Sequence, residues 1–252
     1  MRRRHVFIAA GLLTGVTAST IVTGSGHAIT GGKEAASAPP GMVQVMTPKP
    51  AENRVSWCGG SLIHAKWVLT AAHCPQGGAG LKSIRVRTGS LQDGKGIAVK
   101  VKAVHYPAGS DLALLELRKS VGSAATMPLA DTDPEVGSIG DVFGWGKTET
   151  DKRAKKLKTA EMETSKVGGE CTDYAGGLGV CAGQVTGQAI GGDSGGPLLI
   201  DGRQVGVVST GEVGDYTAFA SVAHSLPWME QTTRLDLNND GRVANAVAAP
   251  AW

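Results

Sequence analysis

A chain of 252 residues can bury a sizeable core, as one large domain or as two small ones. Only 4% of its residues are aromatic while 37 are glycine, a composition that favours short strands and tight turns over long helices. The formal net charge is +3, and residues 1–28 carry three arginines and no acid, so the remainder is neutral, which argues against a nucleic-acid or anionic-membrane partner.

Residues 1–28 are predicted to be a signal peptide that is removed on export. A basic start precedes an apolar stretch at residues 6–22, which threonines and a serine interrupt. Small residues then lead to Ala28, with Gly26 two positions earlier, as signal peptidase prefers. The stretch is shorter and more polar than a membrane span of about 20 apolar residues. We therefore expect a secreted protein with no membrane partner in its mature form.

The rest of the chain contains many short apolar runs bounded by turn residues, which predict β-strands. The predicted strands lie within residues 57–63 and 67–74, and at 84–88, 97–105, 112–117, 142–143, 157–167, 180–182, 197–200, 205–210 and 216–221. Because no helices alternate with them, they indicate antiparallel barrels or sandwiches. A helix is predicted at 222–233, and Pro227 is expected to confine its regular part to the residues that follow.

Residues 191–197, Gly-Gly-Asp-Ser-Gly-Gly-Pro, surround Ser194 with glycines. Because side chains are nearly absent here, backbone N–H groups can converge beside the serine hydroxyl. Acyl transfer requires that arrangement, a nucleophile next to donors that stabilise an oxyanion. A glycine-rich turn before a strand is the alternative.

Ser194 needs a base, and the base needs an acid to orient it. His73 precedes Cys74, and Asp111 opens the apolar run Asp-Leu-Ala-Leu-Leu. Taken singly, each has an ordinary structural explanation, a structural histidine or a turn aspartate. Their order in the chain, His73, Asp111, Ser194, is that of the chymotrypsin triad.

Over about residues 29–233 the chain resembles the chymotrypsin- and trypsin-like serine peptidases. The motifs that carry the resemblance are Cys-Gly-Gly-Ser-Leu at 58–62, Thr-Ala-Ala-His-Cys at 70–74, the run at 111–115, Gly-Trp-Gly at 144–146 and the heptad at 191–197. Five motifs in the family's order make the match specific.

The resemblance implies an all-β fold of two six-stranded antiparallel β-barrels with a short C-terminal helix. The domains would be residues 29–125 and 126–233, with a tail at 234–252. It also implies disulfides Cys58–Cys74 and Cys171–Cys181; the residues alone say only that an even cysteine count without Cys-x-x-Cys spacing favours disulfides over zinc. No metal or organic cofactor is implied, and the expected partners are protein or peptide substrates of a monomer.

The roles implied by the resemblance are those of a serine endopeptidase. Ser194 would attack the carbonyl, His73 would move the proton, and Asp111 would orient the imidazole. The backbone N–H groups of Gly192 and Ser194 would form the oxyanion hole. Two other classes compete: an inactive binding protein on a peptidase fold, and an esterase with the same triad.

The predicted specificity pocket departs from trypsin. Trypsin-like members have an aspartate six residues before the nucleophile, where this chain has Gln188, and Ile190 replaces the first cysteine of the usual pocket disulfide. The substrate-binding strand corresponds to Ser209, Thr210 and Gly211, with Thr210 in place of a tryptophan. Asp215 could supply a negative charge to the pocket or face solvent, and we expect solvent.

Activation is predicted to follow from export. In this family a new N-terminus folds inward, and its α-ammonium pairs with the carboxylate before the nucleophile, here Asp193. Ile29 begins the corresponding Ile-Thr-Gly-Gly, and Ala28 before it fits signal peptidase rather than trypsin. The alternative is earlier cleavage, for instance after Ala18, which would leave a short pro-segment.

The tail contains half of an EF-hand-like loop. Asp236, Asn238 and Asp240 occupy loop positions one, three and five, and a glycine follows. Position twelve, which should be a bidentate acid, is Val247. An Asn-Asp-Gly turn in a frayed terminus is the favoured explanation, and weak calcium binding is the alternative.

Overall fold

The computed structural model of the protein describes residues 29–122, 125–148, 152–212 and 214–237, together with the backbone of 242–243. The predicted signal peptide, residues 1–28, lies outside the described residues. The strands are β1 (Lys33–Glu34), β2 (Met42–Lys49), β3 (Arg54–His64), β4 (Trp67–Thr70), β5 (Arg85–Thr88), β6 (Ile97–His105), β7 (Ala113–Leu117), β8 (Ile139–Gly144), β9 (Lys158–Thr172), β10 (Leu178–Gln184), β11 (Pro197–Ile200), β12 (Arg203–Gly211), β13 (Tyr216–Ser221), β14 (Leu235–Asp236) and β15 (Arg242–Val243). The helix α1 spans Val222–Thr233, and 3-10 turns lie at Pro50–Glu52 and Leu81–Ser83.

Two closed antiparallel barrels of six strands each form the body of the protein, which confirms the predicted fold class. The first barrel closes in the order β2-β3-β4-β7-β6-β5. In the second, the strands follow the order β9-β10-β13-β12-β11-β8, and β8 pairs with β9 to close the ring. The alternation in β6, where Val99 and Val101 are buried on either side of exposed Lys100, shows how a period of two places one face in the core.

Two segments contact a barrel other than the one to which their position in the sequence assigns them. Strand β1, which the sequence analysis assigned to the first domain, pairs with β9 of the second barrel. Helix α1 shares one buried cluster with residues of both barrels, to which it contributes Val222, Leu226 and Met229. The N-terminal segment therefore belongs structurally to the second barrel.

Helix α1 begins and ends where the sequence predicts, but the expected effect of Pro227 is wrong. The helix is continuous from Val222 to Thr233 with Pro227 inside it. Ser221 caps its first turn by accepting a hydrogen bond from the backbone N–H of His224. Proline costs the helix one backbone hydrogen bond, and the buried apolar face stabilises the turn that contains it.

Both predicted disulfides, Cys58–Cys74 and Cys171–Cys181, are present. In the tail, Asp236 lies on β14, which pairs with β15. Asn238 and Asp240 lie outside the described residues, so calcium binding stays a prediction. The described part of the chain has no helix long and apolar enough to cross a bilayer.

Candidate active site

The predicted nucleophile loop lies where the two barrels meet. The backbone N–H of Gly59 in β3 donates a 2.8 Å hydrogen bond to the carbonyl oxygen of Ser194. Gly195 has a φ of +79°, and a Cβ there would lie 2.2 Å from Thr70 Oγ1 and 2.5 Å from Gly59 O. Position 195 therefore requires glycine, because its φ is positive and because residues of the first barrel leave no room for a Cβ.

His73 and Asp111 are brought together as the sequence predicts. His73 Nδ1 lies 2.8 Å from Asp111 Oδ2, and the backbone N–H of His73 donates to Asp111 Oδ1 at 3.0 Å. Ser209 Oγ donates to the same Oδ2 at 2.6 Å, and the Asp111 side chain is only 2% exposed. An ionised carboxylate only accepts hydrogen bonds, so Nδ1 carries the proton and Nε2 is left as an acceptor.

Ser194 is half-buried beside a cavity of about 200 Å³. Its hydroxyl makes no hydrogen bond within the described residues. The cavity is lined by Ala189, Ile190, Gly191, Ser194, Val208, Ser209, Thr210, Gly211 and Thr217. None of these side chains is charged.

Within residues 192–196, two backbone N–H groups are without a partner among the described residues, those of Gly192 and Ser194. By contrast, the N–H groups of Asp193, Gly195 and Gly196 donate to carbonyl oxygens of the protein. The unpaired donors are the two that the sequence analysis assigned to the oxyanion hole. Partially buried N–H groups without partners favour a site that binds an acceptor.

Gln188 lies behind the cavity rather than in its lining. Its side chain is 1% exposed, its Nε2 donates to the carbonyl of Glu212 at 2.7 Å, and its Oε1 accepts from the N–H of Gly214 at 2.9 Å. The Gln188 amide thus links the segment before Ser194 to the loop after β12. The pocket disulfide of trypsin-like members, which this chain lacks, would begin at the position of Ile190. Glu212 and Asp215 are exposed, as expected for Asp215.

Asp193 is fully buried and lacks a contacting cation among the described residues. Burial raises its pKa from 3.8 to about 7, while hydrogen bonds from the N–H groups of Ile190 and Gly146 and the charge of Arg153 act in the opposite direction. Gly146 N donates at 2.7 Å and Ile190 N at 3.0 Å. In the full chain the Ile29 nitrogen is an uncharged peptide nitrogen, so it supplies no positive charge to Asp193.

This raised pKa predicts how the stability of the uncleaved chain depends on pH. Unfolded Asp193 ionises near 3.8, whereas folded Asp193 holds its proton until about pH 7. The contribution to stability is therefore fully present below pH 3.8 and is lost as the pH rises to about 7. Urea unfolding of uncleaved Ser194→Ala protein should show this fall, and the same protein with Asp193→Asn should not. The prediction would be contradicted if the free energy of unfolding of the two proteins depended on pH in the same way.

The Ile29 segment is docked on the second barrel. The Ile29 side chain is 0% exposed and belongs to the same core cluster as Ala160, Met162 and Ala189. The backbone N–H of Gln188 donates to the carbonyl of Thr30 at 2.8 Å. The segment therefore lies against the residues that lead to Asp193.

Several further residues around the site are not identifiable from sequence motifs. Arg153 stacks its guanidinium 4.1 Å from the centroid of the Trp57 ring and forms an ion pair with Asp93. Asp173 and Tyr174 contact the site from the loop between β9 and β10. No motif marks these residues, because each acts through contacts with residues distant in the chain.

One group of potential metal ligands occurs among the described residues, Cys58, His73 and Cys74. Both cysteines are bonded in a disulfide, so they cannot serve as thiolates.

The sequence profile of the family described as Trypsin matches residues 29–229. Trypsin 5G1 of Aedes aegypti is 34% identical over 204 residues, which cover 71% of this chain and 76% of that protein. Neuropsin, a serine protease expressed in the limbic system of mouse brain, has a TM-score of 0.65 at 26% identity and covers 81% of this chain and 100% of its own. An inactivated protease paralogue of the scabies mite, S-D1, has a TM-score of 0.68 at 24% identity over 81% of this chain and 97% of its own, a likeness of fold alone.

Proposed function

Because the chain belongs to the trypsin family of serine peptidases, we propose that it is a secreted serine endopeptidase with the triad His73, Asp111 and Ser194. The observation that carries the proposal is the coupling of His73 to Asp111, together with the unpaired N–H groups of Gly192 and Ser194. Two disulfides are typical of an exported protein and support secretion.

In the proposed reaction, Ser194 Oγ attacks the carbonyl carbon of the substrate while His73 Nε2 takes the hydroxyl proton. The carbonyl oxygen becomes an oxyanion and accepts from the N–H groups of Gly192 and Ser194. His73 then gives its proton to the amine, the C–N bond breaks, and the acyl group stays on Ser194. Water attacks this ester with His73 as base, which releases the acid and restores Ser194.

A phosphonylating reagent tests the proposal against an inactive binding protein. An activated serine should react stoichiometrically, and the reaction should disappear in Ser194→Ala protein. Loss of the nucleophile or of the base is the expected origin of an inactive member, yet this chain keeps both residues. A folded protein that fails to react would favour the binding function.

An esterase that uses the same triad is the remaining candidate. Parallel assays on peptides and on simple esters distinguish the two, because the proposed enzyme hydrolyses both whereas an esterase leaves peptides intact. No described contact favours the esterase, so endopeptidase activity is the function that we propose.

The cavity beside Ser194 supports a preference for uncharged residues before the scissile bond. Its lining carries no charge, and both polar atoms of the Gln188 side chain are occupied by protein partners. A lysine or arginine side chain would enter without a counter-charge, which is disfavoured by several kcal/mol. Medium-sized apolar or polar residues should be cleaved best.

A peptide library measures this preference directly. We expect Arg and Lys to be cleaved at least about 100-fold less efficiently than the preferred residues, which is the effect of roughly 3 kcal/mol. Asp215→Asn is the matched control and should leave the profile unchanged, because Asp215 is exposed. A dominant Arg or Lys signal that Asp215→Asn removes would refute the preference and assign the charge to Asp215.

A further inference from the structure

The loop between β9 and β10 contacts the triad acid from the second barrel. Asp173 is 4% exposed, and its carboxylate accepts four hydrogen bonds. Oδ2 accepts from Ser110 Oγ at 2.7 Å and from the N–H of Asp111 at 2.9 Å. Oδ1 accepts from the N–H groups of Ala175 at 2.8 Å and Gly177 at 2.9 Å. Four donors stabilise a buried carboxylate that has no contacting cation among the described residues.

Tyr174, the residue after Asp173, is linked to Asp111 through the Ser209 hydroxyl. The N–H of Tyr174 donates to Ser209 Oγ at 3.0 Å, and this hydroxyl donates to Asp111 Oδ2 at 2.6 Å. Since the N–H occupies one lone pair of the hydroxyl oxygen, it favours the orientation in which the hydroxyl proton points at Asp111. The ring of Tyr174 also lies edge-on to the ring of His73, with 6.2 Å between centroids.

The loop is held too tightly to move independently of Asp111. The disulfide Cys171–Cys181 encloses it. A Cβ on Gly177 would lie 2.5 Å from the carbonyl oxygen of Gly109 and 2.7 Å from Asp173 Oδ2, so only glycine permits the approach. The backbone that leads to Asp111 therefore rests directly on the loop of the second barrel.

We propose that Asp173 is a positioning residue for the reaction. Its carboxylate holds the Ser110 hydroxyl and the backbone N–H of Asp111 and so keeps the Asp111 carboxylate 2.8 Å from His73 Nδ1. Asp173 lies behind Asp111 and acts through it, without contact to the substrate. The inference rests on the proposed endopeptidase function, and it makes the relative placement of the two barrels a determinant of triad geometry.

Asp173→Asn tests the inference, because it keeps the size of the side chain but replaces one acceptor oxygen by an NH2 group that faces N–H donors. We expect kcat to fall by about 10- to 100-fold, as for a displaced catalytic group, and KM to stay within about twofold. The proton on His73 Nδ1, observed by NMR, should lose its low-field position because its bond to Asp111 lengthens. Glu170→Gln, an exposed acid beside Cys171, is the matched control and should change neither quantity.

Ser110→Ala provides a second test if Asp173→Asn does not fold. It removes one of the four donors and leaves the charge of Asp173, so a loss in kcat of about 2- to 10-fold is expected. In a folded Asp173→Asn protein, the two substitutions combined should cost less than the product of their separate effects.

The inference is overturned if the folded variants keep the wild-type kcat and the wild-type His73 resonance, or if the loss appears only in KM. Without folded Asp173→Asn protein, wild-type behaviour of Ser110→Ala overturns it. An inactive wild-type protein would instead contradict the proposed function, whereas an active wild type with unaffected variants would contradict this inference alone.

Discussion

Ser194→Ala protein is expected to fold normally and to lose peptide hydrolysis by a factor on the order of 10⁶ in kcat, as in other serine peptidases that lose the nucleophile. The Ser194 hydroxyl makes no hydrogen bond within the described residues, so its removal leaves no partner unsatisfied. The change in stability should stay within about 0.5 kcal/mol. The loss of activity is therefore chemical rather than structural.

His73→Ala should cost a similar factor, since the base and the nucleophile act as a unit. Asp111 keeps its bonds from Ser209 Oγ and from the backbone N–H of residue 73, which alanine retains. Kinetics on a peptide substrate, with thermal unfolding as the control for folding, measure both variants. Substantial peptide hydrolysis by folded Ser194→Ala protein would contradict the assignment of Ser194 as the nucleophile.

Protein that begins at Ile29 is expected to be active, and protein that retains residues before Ile29 should be slower by about 10²-fold or more, the effect of an impaired oxyanion hole. A free α-ammonium would supply the positive charge that buried Asp193 lacks. The Asp193 carboxylate accepts hydrogen bonds from the N–H groups of Gly146 and Ile190, so its charge state affects the backbone next to the proposed oxyanion hole. Asp193→Asn should lose activity to a comparable extent.

The backbone at Ile29 is strained in the uncleaved chain. Ile29 has a φ of +51° in the full chain, a left-handed conformation that costs a β-branched residue on the order of 1–3 kcal/mol. The angle is defined by the peptide bond to Ala28, so cleavage of that bond removes the strain. The docked position of Ile29 is therefore better suited to a chain terminus than to a continuous chain.

Chemical sequencing of secreted protein from a protease-deficient host tests this processing step. We expect the sequence to begin at Ile29, the product of signal peptidase. The proposed ion pair with Asp193 should raise the pKa of the α-amino group above its free value of about 7.7–8.0, so we expect activity to persist at neutral pH and to be lost as the pH rises through that raised pKa. Active protein that begins elsewhere, for instance at Ser19, would overturn the proposal.

Local patterns predict antiparallel barrels or sandwiches, and the family resemblance implies the two six-stranded barrels. Short apolar runs bounded by turn residues predicted most of the barrel strands, and helix α1 was predicted with its observed bounds, but β2 (Met42–Lys49) was not predicted. The coupling of His73 to Asp111 is implied by the family resemblance, which rests on the motifs and their order. By contrast, β9 extends to Thr172, beyond the predicted end at residue 167, because its last residues are polar and glycine-rich and show no strand pattern.

The function of Gln188 was not predictable from its position. The sequence placed a neutral amide at the pocket floor, whereas the structure uses that amide to bridge to backbone groups of Glu212 and Gly214. Hydrogen bonds to backbone groups do not depend on the side chain of the partner residue, so the amino-acid sequence does not reveal them. Asp173 was missed for a related reason, since its link to Asp111 joins residues that lie on opposite barrels.

Detection of the acyl-enzyme tests the central claim most directly. Protein mixed with a peptide substrate and quenched in acid within the first turnovers should carry the acyl part of the substrate as an added mass on the peptide that contains Ser194. The same experiment with Ser194→Ala protein should show no added mass. Hydrolysis without an acyl intermediate, or an acyl group on any other residue, would contradict the mechanism.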